Sequence, residues 1–158
     1  MAETLIVPAD SEALLAQIRE LFLEYAKSLG FSLCFQDFDK EVAKLPGYYA
    51  PPDGRLLLAQ HQGEWAGCVG LRKLESEICE MKRLYVRPQF RGKHIGEVLA
   101  RKVIDEARVQ GYRRMRLDTV GPVMHQAVGL YRGLGFYEIP PYTHNPQPGV
   151  LYMEMELR

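Results

Sequence analysis

Apolar positions recur along the chain in two rhythms, and the switches between them divide it into elements. Spacings of three and four mark helical faces. Leu14, Leu15, Ile18, Leu21, Phe22, Tyr25 and Leu29 share one face of a helix that Asp10 or Ser11 can cap and that Gly30 ends. Ile95, Val98, Leu99, Val103 and Ala107 predict a second helix, from about His94 to Gly111. Val123, Ala127, Leu130, Tyr131 and Leu134 predict a third, opened by Pro122 and closed by Gly135. A shorter helix is expected over Asp37–Leu45. Strand-like runs fall at Thr4–Pro8, Arg55–Gln60, Trp65–Leu74, Ile78–Val86, Arg113–Thr119, Phe136–Ile139 and in the C-terminal alternation of Leu151, Met153, Met155 and Leu157. Gln62-Gly63-Glu64 turns the second run into the third, with His61 beside the turn, and Pro88, which has no N–H, stops the fourth.

The sum is a mixed α/β (α+β) sheet of about seven strands with three to four helices. Its neighbours are mostly antiparallel. The strand–helix–strand unit from Ile78 to Thr119 supplies one parallel pair, because such crossovers return the chain in the same direction. With 158 residues and no linker, repeat or low-complexity segment, the whole of 1–158 reads as a single domain.

Composition narrows the function by exclusion. Lys plus Arg equals Asp plus Glu, 20 each, so no overall charge draws the chain to nucleic acid or to an anionic membrane. No run approaches the roughly 20 apolar residues of a membrane span. Cys34, Cys68 and Cys79 match no zinc spacing, so no metal is expected. Without an export signal they read as reduced thiols in the cytoplasm, Cys68 and Cys79 as small core residues. Neither Gly-x-Ser-x-Gly nor the phosphate loop of nucleotide triphosphatases occurs.

Against that neutral background one stretch stands out. Lys82, Arg83, Arg87, Arg91 and Lys93 place five cations within twelve residues, with no acid among them. The last two lie in a glycine-flanked turn, Arg91 to Gly96, just before a helix. Free N–H groups and the helix dipole there favour an anion, so the stretch reads as a grip for a phosphate-bearing ligand.

Glu80-Met-Lys-Arg-Leu-Tyr-Val-Arg-Pro88 followed by Arg91-Gly-Lys-His-Ile-Gly96 resembles the central motif of the GNAT superfamily of N-acetyltransferases, Gln/Arg-x-x-Gly-x-Gly/Ala. The likeness extends to Ala127–Phe136 and fades in residues 1–54. His94 stands where the middle glycine is expected, which implies that this position does not need positive φ.

The resemblance implies acetyl transfer from acetyl-CoA to an amine, in a cleft where the two parallel strands splay apart. Leu84, Tyr85 and Val86 would bind the pantetheine arm through their backbone. Arg91, Gly92, Lys93, His94, Ile95 and Gly96 would surround the pyrophosphate. An amine with pKa near 10.4 must lose a proton before it attacks, at a cost of about 4–5 kcal/mol at pH 7. Glu80, read as sharing a face with Leu84 and Val86, is the candidate base; Tyr131 matches the tyrosine credited with protonating the departing thiolate. Against these stand structural readings: Glu80 paired with Lys82 or Arg116, and Tyr131 as a core residue.

Two aromatic loops are candidates for the acceptor pocket, Phe31–Phe38 with Tyr48 and Tyr49, and Pro140–Pro148 with Tyr142, His144 and Asn145; Phe35, Tyr48, Tyr142 and Asn145 are the candidate contacts. The favoured acceptor is a primary amine of a small molecule or amino acid. Protein or peptide N-acetylation and a non-catalytic acyl-CoA-binding module are the alternatives, and exposed sheet edges leave room for a homodimer.

Overall fold

A computed structural model describes residues 3–30, 32–33, 37–121 and 125–158, with only the backbone for His125. Its elements run β1 (Thr4–Pro8), α1 (Glu12–Ser28), α2 (Phe38–Ala43), β2 (Arg55–His61), β3 (Glu64–Glu75), β4 (Ile78–Val86), α3 (Ile95–Gln110), β5 (Arg114–Val120), α4 (His125–Leu134), β6 (Tyr137–Ile139) and β7 (Val150–Glu156). The seven strands form one sheet in the order β1-β2-β3-β4-β5-β7-β6. Every pairing is antiparallel except β4 with β5.

The ends of the helices follow local chemistry. Ser11 caps α1, its hydroxyl accepting from the Leu14 N–H at 3.2 Å. Gly111 closes α3 at φ +101°, a conformation that suits glycine. The expected opening of α4 at Pro122 and Val123 lies outside the described residues.

Two cores sandwich the sheet. On one face Leu99, Val103, Ile104 and Ala107 of α3 pack with Tyr131 of α4 on Met81, Met115, Leu117 and Met153. On the other, Ile18, Leu21 and Phe22 of α1 pack with Phe38 and Val42 of α2 on Leu56, Leu58 and Cys68. Burying each large side chain contributes roughly 1.5–3 kcal/mol. Cys68 and Cys79 are buried, and burial pushes the Cys79 thiol up to about 12 and the Cys68 thiol higher still. His61 corrects the sequence expectation: it ends β2 only 3% exposed, 2.8 Å from Thr4 Oγ1 and edge-on to Phe90. Aromatic burial outweighs its closeness to the turn.

The strand β4 carries the decisive irregularity. Its register against β3 slips between Lys82 and Tyr85, and Arg83 there has φ +61°. This bulge inverts the alternation of side chains. Met81 packs on the α3 face, and so do Leu84 and Val86. Glu80 lies directly opposite Arg72 of β3, whose guanidinium covers Tyr48 of the turn beside α2. Glu80 therefore does not share the face of Leu84 and Val86, as simple alternation had it. It lies on the opposite one.

Candidate active site

The parallel pairing of β4 with β5 covers only three positions, Ile78 with Arg114, Cys79 with Met115 and Glu80 with Arg116. Beyond them the strands part. A cavity of about 340 Å³ occupies the opening, walled by Met81–Val86 of β4 and Leu117–Val120 of β5. It runs from one face of the sheet to the other. Gln126, Ala127 and Tyr131 of α4 line one side, and Tyr25 and Ser28 of α1 with its capping residue Leu29 line the other. Leu84, Tyr85, Val86 and Arg91 are all on its wall.

At one end the cavity meets the turn before α3. Gly92 has φ +81° and His94 φ +63°, so both adopt left-handed backbone. The middle position therefore does need positive φ, against the expectation drawn from its being histidine. His is among the non-glycine residues that tolerate the region. Val98 of α3 donates back to the His94 carbonyl at 3.1 Å. The N–H groups of Ile95, Gly96 and Glu97 are left at the helix end in the manner of an anion site. A Cβ at Gly96 would make ordinary van der Waals contacts, 3.7 Å from Val86 and 3.9 Å from Leu130. Val86, Arg91, Gly92, His94, Ile95 and Gly96 line one shared hollow. Lys93 is exposed beside it.

Only part of the cationic run serves this end. Arg83 is 4% exposed and doubly bonded to Glu41, Nε to Oε2 and Nη2 to Oε1 at 2.9 Å each. Tyr49 donates to the same carboxylate at 2.9 Å. Arg87 is held by Glu24 at 2.7 Å, and Lys82 lies 4.0 Å from Glu80. Glu24 and Glu41 come from α1 and α2, distances in sequence that a local charge count does not see, while Glu80 lies two residues before Lys82 on β4. Arg91 and Lys93 remain for an anion, with Arg91 Nε fixed on the Val86 carbonyl at 3.1 Å.

Glu80 is 3% exposed and is not part of the cavity wall. The Tyr142 hydroxyl donates to its Oε2 at 2.6 Å, and Arg72 Nε stands 3.6 Å from its Oε1. Of the two partners the sequence suggested, Lys82 lies 4.0 Å away, while Arg116 pairs instead with Glu154 at 2.9 Å and stacks on Tyr142. Tyr131 faces the cavity, 7% exposed, its ring edge-on to Phe136. Burial, with Tyr25 and Asp118 nearby, raises its pKa above that of an ordinary phenol.

Of the four acceptor candidates, Asn145 lines the cavity and Tyr142 holds Glu80. Tyr48 is 68% exposed, stacks on Arg72 and is not on the wall; its neighbour Tyr49 is core, 1% exposed. Loop aromatics carry no periodicity to separate these outcomes. Phe35 lies outside the described residues. Sequence reading missed Asp118, Tyr25 and Lys82 as wall residues. A carboxylate inside a central strand was the one available signal for Asp118.

The model of the acetyltransferase (GNAT) family matches residues 15–136. The chain belongs to this family. An uncharacterised N-acetyltransferase of Schizosaccharomyces pombe is 40% identical over 145 residues, covering 90% of this chain and 88% of that protein. Human N-acetylaspartate synthetase is 34% identical over 112 residues, covering 70% of this chain and 37% of that one. A putative acetyltransferase from Salmonella typhimurium, solved with its cofactor acetyl-CoA, superposes with a TM-score of 0.74 at 21% identity, covering 99% of this chain and 95% of that one. The protein is thus a GNAT-fold N-acetyltransferase. Among the described residues, no helix is long and apolar enough to cross a membrane.

Proposed function

We propose that the protein transfers an acetyl group from acetyl-CoA to the primary amine of a small molecule or amino acid, by direct attack of the amine. The observation that carries this reading is the cavity through the sheet, with a left-handed, glycine-containing turn and a helix N-terminus at one end and a chamber holding a carboxylate at the other. These features fit the cofactor: unpaired β4 backbone for an amide-bearing arm, free N–H groups with Arg91 and Lys93 for a pyrophosphate.

Bound there, acetyl-CoA supplies the acetyl group as an activated thioester. Leu84, Tyr85 and Val86 offer backbone groups to its arm, and an N–H of this segment polarises the reacting carbonyl. Arg91, Gly92, Lys93, His94, Ile95 and Gly96 hold its phosphates. Tyr131 delivers a proton to the departing sulfur. Lys82 is the wall residue beside Glu80, 4.0 Å away, so Glu80 bears on the amine by holding that cation rather than by contact. The limited chamber supports a small acceptor, as does the name of the human relative, whose product is an acetylated amino acid.

The test is release of free CoA thiol from acetyl-CoA across a panel of amines, amino acids and peptides. Turnover with small amines or amino acids supports the reading. Turnover confined to peptides moves the acceptor to the protein class, and acetyl-CoA binding with no turnover indicates a binding module.

A further inference from the structure

Glu80 and Arg116 are the last residues paired between β4 and β5, and two positions further on Lys82 and Asp118 wall the opening from either side. Their charges are not balanced alike. Lys82 is opposed by Glu80 at 4.0 Å and Arg83 by Glu41 at 2.9 Å. Asp118 is the only carboxylate on the cavity wall among the described residues, and it enters no ion pair there. Its one side-chain hydrogen bond is from Asn145 Nδ2 to Oδ2, at 3.1 Å. Lys82 across the opening feels its charge without forming an ion pair with it, so the Asp118 carboxylate can still take a ligand's ammonium.

We infer that Asp118 is the catalytic carboxylate on which the acceptor's ammonium docks and to which its first proton passes. The inference rests on the acetyl-transfer reading above and names the group that reads the amine. Glu80 is sealed by Tyr142 at 2.6 Å and is off the wall, so it cannot make that contact. Asp118 faces Lys82 and Arg83 from β4, Tyr25 from α1, Tyr131 from α4, Tyr142 and Asn145 from the loop before β7, and Tyr152 from β7 itself.

The proton count closes. The acceptor nitrogen enters with three hydrogens and leaves with one. As the N–C bond forms and the thioester C–S bond breaks, one of the two protons lost travels to Asp118 and on to solvent. The other makes good the proton that Tyr131 gives to sulfur.

The test compares wild type with Asp118→Asn, Asp118→Glu and Glu80→Gln, using the best-turned-over amine of the panel, small or peptide. Asp118→Asn lowers kcat/KM for the amine at pH 7 by 100-fold or more while the acetyl-CoA Kd, measured by calorimetry, moves by less than threefold. The deficit shrinks as pH rises towards the amine's own pKa, where solution supplies free base. Asp118→Glu recovers part of the rate, and Glu80→Gln does not share this pH-dependent rescue. A loss below threefold, a loss that stays constant with pH, or a parallel loss of acetyl-CoA affinity overturns the assignment. Turnover by wild type that Asp118→Asn leaves intact sinks Asp118 alone; no turnover of any amine by wild type sinks the acceptor reading with it.

Discussion

The phenol of Tyr142 donates a 2.6 Å hydrogen bond to Glu80, joining the proline-rich loop before β7 to the closed apex of the β4–β5 opening. Around this contact Arg116 stacks on the Tyr142 ring, Tyr152 meets it edge-on, and Asn145 of the same loop reaches Asp118. The loop is therefore held against the sheet by its polar side chains, and Asn145 brings it to the cavity wall.

That contact has a pH signature. Burial and the Glu80 charge raise the Tyr142 pKa far above an unfolded tyrosine's value of about 10. Above pH 10 the unfolded chain then binds fewer protons than the folded one, so stability falls as pH rises; below pH 10 the contribution is complete. Urea denaturation between pH 8 and 11 should show this decline, and Tyr142→Phe should flatten it by about one proton.

Arg83 and Glu41 form a bidentate pair with side chains 3% and 7% exposed. Removing one partner leaves a buried charge uncompensated. Glu41→Ala and Arg83→Met should each cost about 3–5 kcal/mol in urea melts, and the double variant should recover part of that loss.

His94 sits at φ +63°. If its backbone N–H alone serves the phosphates, His94→Gly should leave stability within about 1 kcal/mol, since relief of strain offsets added chain entropy. The acetyl-CoA Kd should then change less than tenfold. His94→Val, β-branched and ill-suited to positive φ, should cost about 1–3 kcal/mol and weaken acetyl-CoA binding. Calorimetry on both variants decides whether the imidazole or the backbone matters.

Tyr131→Phe should lower kcat far more than acetyl-CoA affinity, because the hydroxyl is the part proposed to react. Its ring packing on Phe136 survives the change. Equal loss in both quantities would return Tyr131 to the core.

Much of the fold was legible in the chain. The apolar rhythm of α1 and α3, the glycines that end them and the alternation of β7 are local signals, and the structure repeats them to within a residue or two. The turn before α3 was legible as a motif, although His94 proved to need the left-handed backbone that glycine usually supplies. Glu80 shows where such reading stops. Its face was assigned by strict alternation, and one bulged residue, Arg83, reversed it.

Residues 78–96 thus divide between two kinds of knowledge. Sequence alone determined the strand, the break at Pro88, the turn and the helix, because propensity, ring geometry and hydrophobic period act over a few residues. Tertiary structure decided which charges are spent and which are available. Glu41 is 42 residues from Arg83 and Tyr142 is 62 from Glu80. Pairings over such separations are set by how the sheet and helices pack, and the same packing puts Asp118 on the wall of an open cavity with no ion-pair partner among the described residues.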